Sequence, residues 1–220
     1  MSGRPLLLGH RGARAVTSIP ENTLASFDRA LADGCDGFEF DVRLTAGGEA
    51  VVCHDPKIGS LEIAGAGGEA VRTLPRLQDV LERYQQAAFL DIELKVSGLE
   101  KTALRLLGKC APRRGFVLSS FLPEVLRAIR RANSAFPLGV ICENRAELGR
   151  WRELPVKYVI PHRKLVTRRL LDEFKAADRK VLVWTVNERE EMKRLAEWGA
   201  DGIISDDARL LGKAFEKLGC

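Results

Sequence analysis

Apolar residues recur along this chain in two alternating rhythms. Short runs rich in β-branched and aromatic side chains are spaced through it: "PLLLGH" (5–10), "GFEFDV" (37–42), "AFLDIELK" (88–95), "GFVLSS" (115–120), "PLGVIC" (137–142), "KYVIPH" (157–162), "VLVWTV" (181–186) and "DGIISD" (201–206). Between them, stretches such as "NTLASFDRALADG", "LPRLQDVLERY", "PEVLRAIRRAN" and "EREEMKRLAEWG" return an apolar residue every third or fourth position, and several end in Gly or Asn. Eight strands separated by helices predict an α/β chain folded as a (β/α)8 TIM barrel. A doubly wound sheet fits less well, because "GHRGARA" lacks the GxGxxG spacing of a dinucleotide loop.

A ninth apolar run, "AVVCH" (50–54), follows the second strand after only "TAGGE", which predicts a short hairpin excursion. A turn centred on Gly47 and Gly48 sets Leu44 opposite Val51, Val42 opposite Cys53, and Asp41 opposite His54. The whole chain, 1–220, reads as one domain with a short insertion at about 55–73.

Strand parity concentrates the chemistry. Side chains two apart share a face, so Glu39 and Asp41 point together while Phe38, Phe40 and Val42 pack under helices. In the third strand Asp91, Glu93 and Lys95 share the face opposite Leu90, Ile92 and Leu94. Buried carboxylates need a cation or hydrogen-bond donors. The strand pattern leaves two compensations open: a hard cation, Mg2+ or Ca2+, held by Glu39, Asp41 and Glu93, or an ion-pair network with Arg43 and Lys95. His10 and His54, each ending a strand at the same mouth, favour the cation, because two imidazoles beside Arg11 and Lys95 suit phosphoryl chemistry. His162, in the basic loop "VIPHRKL", reads as solvated.

Composition narrows the partners. The 220 residues are 45% hydrophobic and carry a diffuse net charge of +5, without a basic stripe interleaved with aromatics, so no nucleic-acid partner is expected. The apolar run near the start is short for a signal-peptide core, and no segment reaches membrane-spanning length, so no stable membrane insertion is expected. Five scattered cysteines without a CxxC pair argue against a disulfide framework or zinc and for a cytoplasmic setting. Oligomeric state is not legible.

Together, "GHRG", "PENTLASF", "FEFDVRLT", "VVCHD", "IELK", "VWTVN" and "DGIISD" resemble the glycerophosphodiester phosphodiesterase family, in order and along essentially the whole chain. The resemblance implies a (β/α)8 barrel with one divalent cation at its mouth and hydrolysis of glycerophosphodiesters, glycerophosphocholine and glycerophosphoethanolamine for example, to glycerol 3-phosphate and an alcohol. It implies His10 and His54 as the acid/base pair, Glu39, Asp41 and Glu93 as metal ligands, and Arg11 and Lys95 as phosphate contacts. It also implies Glu21 and Asn22 at the site's edge, Phe121 and Trp184 as apolar walls near the glycerol, and Asp206 as the acid of the terminal strand. On bland readings Phe121 and Trp184 are core aromatics, and Glu21 and Asn22 cap the helix near Thr23. The chain departs from the family in the loop "ARAVTSI", in Ala208, and in a short segment after His54 that leaves alcohol preference open. The alternatives are a lysophospholipase D activity and a non-catalytic phosphodiester-binding barrel.

Overall fold

A computed structural model describes residues 4–216, which leaves Cys220 outside the described residues. The strands are β1 (Leu6–His10), β2 (Gly37–Leu44), β3 (Ala50–Val52), β4 (Lys57–Ile58), β5 (Leu61–Glu62), β6 (Phe89–Leu94), β7 (Phe116–Ser120), β8 (Leu138–Cys142), β9 (Tyr158–Pro161), β10 (Lys180–Val183) and β11 (Gly202–Ser205). Eight of them, β1, β2 and β6 to β11, pair in parallel, and β1 bonds both β2 and β11, so the sheet closes into the expected barrel. The α-helices are α1 (Leu24–Ala32), α2 (Leu77–Tyr84), α3 (Glu100–Lys109), α4 (Pro123–Ala132), α5 (Arg145–Leu148), α6 (Arg168–Ala176), α7 (Arg189–Glu197) and α8 (Ala208–Phe215).

Local chemistry sets the helix starts. Thr23, Thr167 and Asp207 each accept a hydrogen bond from the main-chain N–H three residues on, satisfying donors that the first turn would leave orphaned. Pro123 opens α4, where its missing N–H costs nothing.

Parity divides the core as the alternation predicts. Phe38, Phe40 and Val42 point outward under the helices, and Phe38 stacks on Phe27 with ring centroids 4.2 Å apart. Leu8, Phe89, Val117, Ile141, Tyr158, Ile160, Leu182 and Ile204 fill the barrel interior. Between β3 and α2, Ile63, Ala66 and Val71 pack with Val51 and Cys53 in a small satellite core.

The hairpin forms, but one residue out of the expected register: Leu44 lies opposite Ala50, Arg43 opposite Val51, and Val42 opposite Val52. The turn is the cause. Thr45 N–H donates to Glu49 O and Gly48 N–H to Thr45 O, each at 3.0 Å, with Gly48 at φ +80°. This is a three-residue loop with a left-handed glycine rather than a two-residue turn. Cys53, not His54, therefore faces Asp41, its N–H donating to Asp41 O at 3.0 Å.

Candidate active site

A cavity of about 340 Å3 opens at the C-terminal mouth, lined in part by His10, Arg11, Glu39, His54, Glu93, Lys95, Phe121 and Trp184. Register brings the acids together: His10 is level with Glu39, Glu39 with Asp91, and Asp41 with Glu93 on neighbouring strands. Oxygens of Glu39, Asp41 and Glu93 lie within 4.8 Å of one another.

These acids are buried and only partly compensated. Lys95 Nζ sits 3.2 Å from Asp41 and 2.8 Å from Glu93, and Arg11 Nε lies 3.3 Å from Asp41 without aligning for a hydrogen bond. Burial would raise Asp41, but Lys95, Arg11 and the Asn22 amide outweigh it and hold its carboxyl below the usual range. Burial and the neighbouring Asp41 push Glu93 up to about 7 despite Lys95. Glu39 is raised well above the ordinary range by burial and then by Asp41 and Glu93, and among the described residues its one close donor is Arg11 N–H at 3.0 Å. Arg43, a candidate partner in the sequence, turns away and donates to His54 O at 2.7 Å. The three all-oxygen donors, short of cationic charge, fit a hard divalent cation.

Each histidine is held by a carboxylate. His10 Nδ1 donates to Asp206 Oδ1 at 2.7 Å, and its Nε2 faces Glu39 Oε2 at 3.8 Å. Asp206 also accepts from Asn187 and Arg14; these bonds overcome its burial and keep it far below the usual carboxylate range. His54 Nδ1 donates to the exposed Asp55 at 2.7 Å. Since carboxylates only accept, both rings carry Nδ1–H. His54 thus reaches the cavity although its expected partner across the hairpin is Cys53.

The backbone of "GHRG" and "PENT" is contorted to deliver these groups. Arg11 and Asn22 adopt φ +51° and +56°, and Asn22 N–H donates to Arg11 O at 3.0 Å. At Gly12, φ +85°, a Cβ would come within 2.4 Å of Ser26 Oγ, so only glycine lets α1 approach so closely.

Glu21 and Asn22 do not line the cavity. Glu21 accepts from Arg11 and Arg14 at 2.7 Å each, while Asn22 Nδ2 donates to Asp41 at 2.8 Å, and Thr23 rather than either of them caps α1. Phe121 and Trp184 meet edge to face at 5.8 Å on the cavity wall. His162 is half-buried rather than solvated, its ring 5.3 Å from Trp184, because Arg163 N–H donates to Trp184 O and holds the loop after β9 against the residue that follows β10.

Sequence reasoning assigned no role to Asp91, Ile141, Glu143, Ile160 or Ile204, all of which line the cavity. Parity two residues along each strand would have found every one. Asp91 is raised to about 7 by burial, against the hydrogen bond from Ser119 at 2.5 Å, and its Oδ2 has no partner among the described residues.

The chain is similar in sequence and in fold to several known proteins. A glycerophosphodiester phosphodiesterase of Caldanaerobacter subterraneus subsp. tengcongensis is 28% identical over 98% of this chain and 100% of its own. A putative glycerophosphodiester phosphodiesterase of Bacillus subtilis, YhdW, is 29% identical over 91% and 93%. Among solved structures, a putative glycerophosphoryl diester phosphodiesterase of Silicibacter pomeroyi superposes with a TM-score of 0.86, at 24% identity over 96% of this chain and 92% of that one. An Oleispira antarctica phosphodiesterase, solved with the product sn-glycerol-3-phosphate, superposes at 0.85 with 24% identity over 97% and 98%. Residues 10–80 and 66–210 match the model of the glycerophosphoryl diester phosphodiesterase family, and the chain belongs to that family.

Proposed function

We propose that this chain is a glycerophosphodiester phosphodiesterase that hydrolyses its substrates to glycerol 3-phosphate and an alcohol, with Glu39, Asp41 and Glu93 holding one Mg2+ or Ca2+. The observation that carries this reading is the convergence of two carboxylate-held histidines on one cavity with a trio of clustered acids. The product seen in the Oleispira relative supports the same substrate class.

When bound, the cation supplies charge neutralisation and polarisation at the phosphate. Arg11 and Lys95, on the cavity wall, balance the negative charge of the diester and orient it. His10, with Nδ1–H locked on Asp206, presents Nε2 beside the acid cluster and takes the nucleophile's proton. His54 is one-third exposed and returns a proton to the departing alkoxide near solvent. Glu21 and Asn22 serve through Arg11 and Asp41, which they position. Phe121 and Trp184 wall off the substrate's carbon skeleton.

The reading treats 1–220 as one domain with the 55–73 segment as an insertion. The free thiols of Cys35, Cys53, Cys110 and Cys142 support a reducing, cytoplasmic setting, and among the described residues no helix is long and apolar enough to cross a membrane. A second substrate, a lysophospholipid, is favoured by the apolar wall of Ile141, Ile160 and Ile204. The test is to incubate the protein with glycerophosphocholine, glycerophosphoethanolamine and a lysophospholipid, with Mg2+ or Ca2+ and with chelator, while following glycerol 3-phosphate and head group. Cation-dependent release of glycerol 3-phosphate is expected, with loss in His54→Ala. No turnover of any diester with either cation would sink the proposal.

A further inference from the structure

Two acids hold the site from behind, Asp206 on His10 and Glu21 on Arg11, and a single side chain joins them. Arg14 Nε donates to Glu21 Oε2 at 2.7 Å, and its Nη1 donates to Asp206 Oδ1 at 3.1 Å. One guanidinium therefore spans from the acid behind the imidazole to the acid behind the phosphate-contacting arginine. Arg14 itself is not among the residues that line the cavity, so it acts only through these neighbours.

The Arg14 side chain is 42% exposed, and a surface arginine ordinarily contributes little, because ordering a long side chain offsets much of its ion pairing. Here the surroundings remove most of that cost. Ala13 N–H donates to Ser26 Oγ at 2.8 Å and Ala15 N–H to Asp206 O at 2.9 Å, which fastens the main chain on both sides of residue 14. Both targets are also held: Asp206 Oδ2 accepts from Asn187 at 2.7 Å, and Glu21 Oε1 accepts from Arg11 at 2.7 Å. The planar guanidinium meets one oxygen of each carboxylate with a separate N–H, which a lysine, a point charge, does not reproduce.

We propose that Arg14 is a positioning residue, a clamp that sets His10 through Asp206 and Arg11 through Glu21. The inference rests on the hydrolytic reading above. Without Arg14, the Asp206 carboxylate is free to turn about its Asn187 contact and carries the His10 ring with it, away from the acid cluster. That slack lowers kcat. Glu21, left with Arg11 alone, follows the guanidinium instead of holding it toward the phosphate. That slack raises KM.

The test measures kcat and KM for glycerophosphocholine, with saturating Mg2+ or Ca2+, in the wild type, Arg14→Ala, Glu21→Ala and the double variant. Arg14→Ala should lower kcat and raise KM by about two- to fivefold each, the range open to half-exposed charged pairs. Its thermal unfolding midpoint should match that of the wild type. In the Glu21→Ala background the KM effect of Arg14→Ala should vanish while its kcat effect persists, because only the route through Asp206 remains. Arg14→Lys should recover part of the loss and not all of it. Wild-type constants in Arg14→Ala, equal losses in both backgrounds, or a loss that tracks a lowered unfolding midpoint would each overturn this inference alone. No turnover by the wild type overturns the hydrolytic reading and this inference with it.

Discussion

The two sides of the barrel mouth are made of the same kind of parallel strand, yet they carry opposite chemistry. On the side of β1, β2 and β6, the mouth presents His10, Glu39, Asp41, Asp91, Glu93 and Lys95; on the side of β8, β9 and β11 it presents Ile141, Ile160 and Ile204, with Glu143 and Asp206 beyond them past the strand ends. The polar side is held together by direct charge pairing and costs the fold, since Glu39 and Glu93 are acids raised by burial and by the neighbouring Asp41. The apolar side is held by packing and stabilises the fold. A substrate that is anionic at one end and carbon-rich at the other is read by this division, and damage to each side should be felt differently.

The sharpest break between the two sides comes from the catalytic pair. His10→Ala should lower kcat by roughly 10²- to 10⁴-fold, the usual loss of a general acid–base group. Its circular dichroism should match the wild type; an unfolded variant or wild-type turnover would contradict the assignment.

On the opposite wall the order of effects reverses. Ile160 is 1% exposed, so Ile160→Ala should cost about 2–5 kcal/mol in denaturant unfolding. Its kinetic loss should be far smaller than that of His10→Ala and lie mainly in KM. A kcat collapse with intact stability would mean that the wall takes part in the chemistry.

Glu39→Gln tests the claim that the polar side costs the fold. Because burial and Asp41 raise this carboxyl in the folded state, its charged form opposes folding at neutral pH. In chelator, the variant should therefore be more stable than the wild type. Activity and the thermal shift produced by added Mg2+ or Ca2+ should both be lost. Destabilisation in chelator would instead show that the Arg11 contact outweighs the repulsion.

The smallest effect lies at the far end of the barrel, away from both sides. Asp36 accepts from Arg4 and from Leu7 N–H; burial opposes these bonds, but they win and lower its carboxyl. A depressed acid stabilises above its unfolded pKa, about 3.9, and that stability is lost as pH falls through the lower folded value. Thermal unfolding of the wild type and Asp36→Asn should differ by less than about 1 kcal/mol above pH 4, since Arg4 is half-exposed and solvent screens the pair. The difference should vanish toward lower pH, and a difference that grew on acidification would be the wrong sign.

Much of this architecture was legible because strand parity is a local property. "FEFDVRL" and "FLDIELK" each announce which side chains face the interior, and closure of the barrel changes nothing about that alternation. The helices were legible for the same reason. The hairpin register was not, because it turned on whether the loop took two or three residues, which depends on Gly48 adopting a left-handed conformation. Nor was the outward turn of Arg43, whose guanidinium binds the His54 carbonyl instead of an acid.

Sequence by itself determined the barrel, the inward acids, the two histidines and the cations beside them, since each follows from alternation along one short segment. Only the tertiary structure decided the partners. Asp206 meets His10 across 196 positions of chain, and Asn22 reaches Asp41 across 19. Those pairings depend on where strands lie around a closed ring, and the interaction of charges depends on distance in space, which no local pattern encodes.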